Sequence, residues 1–224
     1  MEMKRVILDP SHGGSDVGDT GFGVNEKDVT LLVAKATADA LMGFPVEVML
    51  TREVDRFLSE DARIRMANEW NSDLYVSIHV NGGNQRGFES YVYHEASQEA
   101  KQMQVHIHRE VTKRMKFSDL GLKEGVLGQL QQAKMPAVLT KTFFIDNLEE
   151  GRRLRDRRVI QMMALSHANG IIKALGLDSE MEDVPMYRVH INGHPVGAYQ
   201  EVDSLVREVT TYYGKAKSIR LELV

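Results

Sequence analysis

Val6-Ile7-Leu8-Asp9-Pro10-Ser11-His12-Gly13-Gly14 is the stretch on which the reading of this chain turns. A short apolar run stops at a proline, and a histidine stands just past the break. A buried strand delivers a side chain to the rim of a sheet in this way, where loops carry functional groups. The unbroken apolar run Val6-Ile7-Leu8 within a strand over residues 5–9 suits a parallel sheet covered on both faces. His12 alone says little. Glu26 and His79, at the ends of two other predicted elements, make it worth building on.

Outward from that stretch, strands alternate with helices. Val29, Leu32, Val33, Ala36, Ala40 and Leu41 recur at helical spacing and predict a helix over 27–42, with Glu26 at its first turn. Gly43-Phe44-Pro45 stops it, and 46–51 reads as a strand. Ser59 is placed to cap a helix over 60–70. Residues 74–79 form a third strand, again ending on a histidine, and 88–93 a fourth. A helix follows over 97–115. Gly121, Gly125 and Gly128 predict loops around a short strand between 117 and 134. A strand over 136–140 and mostly helix over 148–177 complete the pattern.

The alternation predicts an α/β fold, a three-layer sandwich whose mostly parallel or mixed sheet is flanked by helices, in a domain spanning residues 1–177. Residues 178–185, acidic and ending in proline, read as a linker. Residues 186–224 read as a small C-terminal β-α-β module: a strand over 187–191, a turn at Asn192-Gly193, a helix from about 200 to 213 and a strand over 218–223. Such a piece has too little core to be robust alone. It is expected to dock on the main domain, to form a homodimer or to serve as a binding module.

Composition excludes several function classes. With 224 residues, 42% hydrophobic and 27% charged, the chain is ordinary for a globular protein. Its net charge of -4 offers no electrostatic case for nucleic acid or a membrane surface. No cysteine is present, so a metal would have to be held by His, Asp or Glu. Met1-Glu2-Met3-Lys4-Arg5 runs straight into a core strand, with no apolar segment of a Sec signal and no transmembrane span. The expectation is a chain made in the cytoplasm that works outside only if something releases it.

His12 and His79 end predicted strands while Glu26 begins a helix, and in an open α/β sheet such ends converge on one crevice. Two imidazoles and a carboxylate are a set that zinc hydrolases use, with a fourth position left for water. Taken singly, each has an ordinary reading: a loop histidine is usually solvated, and a glutamate at a helix start usually answers the helix dipole. The convergence of all three is what favours a metal. His106 and His108 lie two apart and cannot share one helix face, so they read as surface residues. Arg52 and Arg63 read as partners of carboxylates near the core.

At this point a family comes into view. Leu8-Asp9-Pro10-Ser11-His12-Gly13-Gly14, Glu26-Lys27-Asp28, Thr51-Arg52, Arg63 with Ala67-Asn68, and Asp73 through Asn81 stand in order. Gly87-Phe88-Glu89-Ser90-Tyr91, Pro136-Ala137-Val138-Leu139 and Phe144-Ile145-Asp146-Asn147 follow. From Val6 to about Leu177 the chain resembles the zinc-dependent N-acetylmuramoyl-L-alanine amidases of the Amidase_3 family. The resemblance implies one zinc ion at His12, Glu26 and His79. It also implies cleavage of the amide joining the lactyl group of muramic acid to L-alanine in peptidoglycan. The family further uses a glutamate just after the Pro-Ala-Val-Leu strand to carry protons, and Lys141 holds that position here.

A protonated lysine has no acceptor and cannot act as a general base unless its pKa falls far. Losing general acid-base help costs about 10²–10⁴ in rate, so the resemblance implies an impaired amidase. The substitution fits either an inactivated lytic enzyme, the preferred reading because the ligand positions survive, or a non-catalytic peptidoglycan-binding pseudoenzyme. A zinc aminopeptidase or carboxypeptidase on the same architecture is a further rival. Gln131 stands where the family often has an arginine, and Ser11 replaces the usual glycine beside the first ligand. Asn81 and Gln131 are expected near substrate, and Glu89 near the ligand strand ends. The arginines of 152–158 read as a solvated helix face that could meet anionic wall polymers. The absence of a leader and of cysteine suits a phage endolysin causing host lysis, or an enzyme freed by mother-cell lysis. Residues 186–224 would then bind wall or dimerise.

Overall fold

Val6, Ile7 and Leu8 are wholly buried in β1 (Lys4–Pro10), which lies inside the sheet rather than at its edge. The computed structural model describes residues 3–115, 118–177, 187–199 and 202–223. After β1 come β2 (Thr20–Gly21), β3 (Val24–Asn25), α1 (Glu26–Leu41), β4 (Val46–Leu50) and α2 (Glu60–Trp70). Next are β5 (Leu74–Asn81), β6 (Phe88–Tyr93), α3 (Gln98–Met115), β7 (Asp119–Gly125) and α4 (Gly128–Gln131). The unit closes with β8 (Ala137–Phe144), α5 (Leu148–Arg153) and α6 (Arg157–Ala174). The Ser59 side chain accepts from the Ala62 amide at the start of α2, as its position predicts.

Six strands form one sheet in the order β4-β1-β5-β8-β6-β7. All neighbours pair in parallel except β6 and β8, which run antiparallel, so the sheet is mixed. Helices α1, α6 and α3 pack side by side in one layer, while α2 and α4 meet on the other face. There Ile7, Tyr75, Ala137 and Leu139 from three central strands close over Ile64 and Ala67 of α2 and Leu130 of α4. Side chains alternate along a strand, so Asp9, Ser77, His79 and Lys141 lie on this same face. Residues 148–177 are not one helix: they break at Leu154–Asp156, where Asp156 caps α6. Leu32, one of the apolar positions at helical spacing in α1, is 56% exposed.

The chain divides into two compact units, Met1–Leu177 and Asp178–Val224. Residues 178–185, read as a linker, lie outside the described residues. The second unit holds β9 (Tyr187–Ile191), β10 (His194–Tyr199), α7 (Val202–Tyr212) and β11 (Ile219–Leu223), with β9 central in an antiparallel sheet ordered β10-β9-β11. The β-α-β reading therefore missed a strand. Pro195 and Gly197 look like turn residues, but β10 is an edge strand and its register shifts between them, which is where a sheet tolerates both.

One buried histidine makes the fold sensitive to acid. His167 on α6 is fully buried, with Nδ1 donating to the Met163 carbonyl (2.7 Å) and Nε2 3.0 Å from Thr140 Oγ1. Burial, only partly offset by the Met163 carbonyl, pushes its pKa down from 6.5 to about 4. The unfolded chain therefore binds the proton first, and the stabilisation present above pH 6.5 is lost as pH falls towards 4. This group alone accounts for about 3 kcal/mol across that interval. Urea unfolding of the protein and of His167→Gln between pH 7 and 4 tests this: the variant should lack that part of the slope, and identical slopes would refute it.

Candidate metal centre

Glu26 is the first residue of α1, and the preceding hairpin turns it back towards the end of β1. Its carboxylate is buried between two imidazoles, Oε2 lying 3.2 Å from His12 Nε2 and Oε1 3.1 Å from His79 Nδ1. The Asp19 and Val80 amides donate to it at 3.0 Å, and Ser11 Oγ lies 3.4 Å away. One donor atom from each of His12, Glu26 and His79 falls within 4.8 Å of the others. The rings of His12 and His79 stand nearly perpendicular, their centroids 5.4 Å apart. The three residues read from strand and helix ends are thus brought together.

The electrostatics describe a carboxylate between cations or protons. Burial would raise the Glu26 pKa, but the hydrogen bonds and charges of the two histidines drive it far below the usual carboxylate range. Burial opposes a charge on His12, yet Glu26 and then Asp16 outweigh it and push the imidazole up to about 9. Asp16 reaches the outer nitrogen of His12 at 2.9 Å, the arrangement that fixes a ligating imidazole's orientation. The outer nitrogen of His79 lies 3.5 Å from Gln129 Nε2, and Gln129 in turn is 3.4 Å from the Tyr75 hydroxyl. Once His12 gives up its proton, two imidazoles and a carboxylate converging in this way fit a divalent cation of zinc's preferences.

His12 lies just past the strand in a left-handed conformation (φ 59°), and buried arginines hold its neighbourhood in place. Arg63 pairs with Asp9 (2.8 Å) and donates to the carbonyls of Pro10 (2.8 Å) and His12 (2.6 Å). Arg52, expected to meet a carboxylate, instead donates to the carbonyls of Pro10, Ser11 and Lys27 at 2.7–3.0 Å.

Lys141 is the Cα partner of His79 across β5–β8 and of Glu89 across β6–β8. Adjacent strands lie about 4.8 Å apart, so it stands one strand from this member of the donor set. Asn81 donates to Glu89 (2.8 Å), which also pairs with Lys123. Gln131 is exposed at the end of α4. The surface reading of the histidine pair fails for one member: His106 is exposed, but His108 is buried between Ser90 Oγ and Asp119 Oδ1, each at 2.8 Å. Asp16 and Gln129 were not found from sequence, and only the short Gly-Gly-Ser-Asp loop after His12 hinted at the first.

Just past Lys141 the strand departs from regularity. β8 gains a residue on β5 between Lys141 and Phe144, Phe143 takes φ 68°, and the buried Thr142 hydroxyl has no hydrogen-bond partner.

An open mixed sheet backed by helices on both faces, with a His-Glu-His donor set gathered from past β1, the start of α1 and within β5, defines a class of α/β proteins built around a metal-type centre. Within that class the chain belongs to the Amidase_3 family, N-acetylmuramoyl-L-alanine amidase, which residues 6–173 match. It is 38% identical over 205 residues to the sporulation-specific N-acetylmuramoyl-L-alanine amidase of Bacillus subtilis (strain 168), covering 91% of this chain and 79% of that protein. It is 39% identical over 183 residues to the endolysin of Bacillus phage SPP1, covering 78% and 67%. Among solved structures, the catalytic domain of CwlV, an N-acetylmuramoyl-L-alanine amidase of Bacillus (Paenibacillus) polymyxa var. colistinus, superposes with a TM-score of 0.74 at 29% identity, covering 78% of this chain and 99% of that one. No helix among the described residues is long and apolar enough to cross a membrane.

The irregularity after Lys141 has a measurable balance. A left-handed conformation costs an L-residue about 1–2 kcal/mol, whereas losing a buried phenylalanine ring costs about 3–5 kcal/mol. Packing wins, so Phe143→Gly should lower stability by about 2–3 kcal/mol despite relaxing the backbone. A stabilised Phe143→Gly in urea unfolding would show that backbone strain dominates.

Proposed function

We propose that this chain binds one zinc ion through His12, Glu26 and His79 and recognises peptidoglycan. Its hydrolysis of the amide between N-acetylmuramic acid and L-alanine is weakened because Lys141 occupies the position of the family's proton-carrying glutamate. When bound, zinc supplies a Lewis acid that acidifies water and polarises an amide carbonyl. The chain's own residues would hold it: two imidazoles and one carboxylate, with Asp16 orienting His12. The observation that carries the reading is the pairing of Lys141 with His79 on the neighbouring strand. A carboxylate there would accept a proton; an ammonium group can only donate. Asn81 and Gln131 are proposed to meet substrate, the first through the Glu89 side of the sheet and the second from α4.

The same lysine favours a second reading, a peptidoglycan-binding protein that does not cut. In either case the chain would act on the wall after release by phage or mother-cell lysis. The unit 186–224, with residues 178–185 as linker, would add wall affinity or a dimer contact.

Turbidity loss of purified walls separates the two readings. Lys141→Glu should raise the lytic rate by about 10²-fold or more, with new L-alanine amino termini and no free amino acids as products. Walls bound by both forms and lysed by neither would establish the binding protein, and release of single amino acids would favour a peptidase. Metal analysis after dialysis tests the ligands: His12→Ala should lose its zinc, and undiminished content would refute the assignment.

A further inference from the structure

The arginines around the α5–α6 junction have no part in the chemistry above. Arg152, Arg153, Arg155, Arg157 and Arg158 follow one another closely, and the carboxylates of the same stretch are already engaged. Glu149 pairs with Arg86 (2.6 Å) and Asp156 with Arg158 (2.7 Å). Glu150 is buried and receives the Gly87 and Phe144 amides (3.0 and 2.8 Å). Among the described residues, Arg152, Arg153, Arg155 and Arg157 have no carboxylate at ion-pairing distance. The chain as a whole has a net charge of -4, so this is a local excess of the opposite sign.

These guanidinium groups are also held. That of Arg152 lies 5.8 Å over the Phe22 ring, and that of Arg153 lies 5.1 Å over the Phe143 ring. Arg155 donates to the Phe22 carbonyl. Planar cations parked on rings lose little freedom when a ligand arrives. Arg152, Arg153 and Arg158 line a cleft of about 540 Å³ together with Val159, Met162 and Asp156, whose carboxylate is taken up by Arg158. Guanidinium forks match the paired oxygens of phosphate and carboxylate groups, and cations spread over two successive helices suit a chain of repeated anions better than a single one.

We propose that this cleft binds a linear polyanion of the cell wall whose repeating charge is a phosphodiester. It would hold the protein on the wall independently of amide hydrolysis. The inference takes only the partner's location from the reading above, and its test measures binding, so loss of the amidase reading would leave it standing.

The full chain would be titrated at low salt with inorganic polyphosphate and with polyglutamate of matched charge. It would also be pelleted with purified walls before and after acid removal of phosphodiester polymers. Arg152→Gln/Arg153→Gln should weaken polyphosphate binding by about tenfold and reduce wall retention to that seen on stripped walls. Arg152→Lys/Arg153→Lys should fall between the unmodified chain and the glutamine variant, since it keeps the charge but loses the planar fork and the ring stacking. Unchanged affinity in a folded glutamine double variant would overturn the proposal. So would tighter binding of polyglutamate than of polyphosphate by the unmodified chain. Should the double variant fail to fold, Arg152→Gln alone carries the same test with a loss of about threefold.

Discussion

The constraint on which the site depends is a buried carboxylate, Asp9. It has no exposure, and burial by itself would raise its pKa. The Arg63 charge and hydrogen bonds from Thr51, Arg63 and Tyr75 hold it below the usual carboxylate range instead. Thr51 and Arg63 share one oxygen, Tyr75 and Ser77 the other. Those donors come from α2, from β5 and from the residue after β4, so one group ties three neighbouring elements to the end of β1. Its partner Arg63 then continues to the His12 carbonyl, and Arg52 takes the Ser11 carbonyl beside it. Past the end of a strand, carbonyls have no ladder partner and would be costly to bury unpaired. Two buried guanidinium groups satisfy them, and His12 is thereby held where its ring meets Glu26.

His79 and Lys141 share a sheet face for a related reason. Alternation along β5 and β8 places His79 and Lys141 on the side covered by α2 and α4, in register. On the next strand Glu89 lies opposite Lys141, its carboxylate already engaged by Asn81 and Lys123. That carboxylate, on the strand beside Lys141, is therefore already committed to two partners.

Much of this was legible in residue order. Strand ends and helix starts located His12, Glu26 and His79, because a proline stop, a cap at Ser59 and a helical apolar stripe are local signals. The rest depends on tertiary contacts that leave no local trace. α3 is covered by α6 on one side and by β6 and β7 on another, so its buried surface is wide enough to take in His108 as well as the expected stripe. Gln129 reaches His79 only because the irregular segment after β7 folds a single helical turn against β8. β10 was hidden by a proline and a glycine that its bulge accommodates. Arg52 and Arg63 look alike in the sequence, yet one neutralises a carboxylate while the other gathers carbonyls.

Among the described residues, six other than glycine adopt positive φ: His12, Phe22, Asn71, Asn84, Phe143 and Asn192. Asparagine visits that region at small cost, so three of them need no special support. The other three are a histidine and two phenylalanines: one belongs to the His-Glu-His cluster, one sits in the hairpin before Glu26, and one follows Lys141 by two residues. Backbone handedness thus limits the alphabet available at these positions. Valine, isoleucine or threonine would be rejected there on steric grounds before their chemistry mattered. Glycine, the easiest replacement for the backbone, would discard the imidazole at position 12 or a ring supporting an arginine at 22 and 143. The residues that positions 12, 22 and 143 can accept are therefore restricted by the backbone as well as by what their side chains touch.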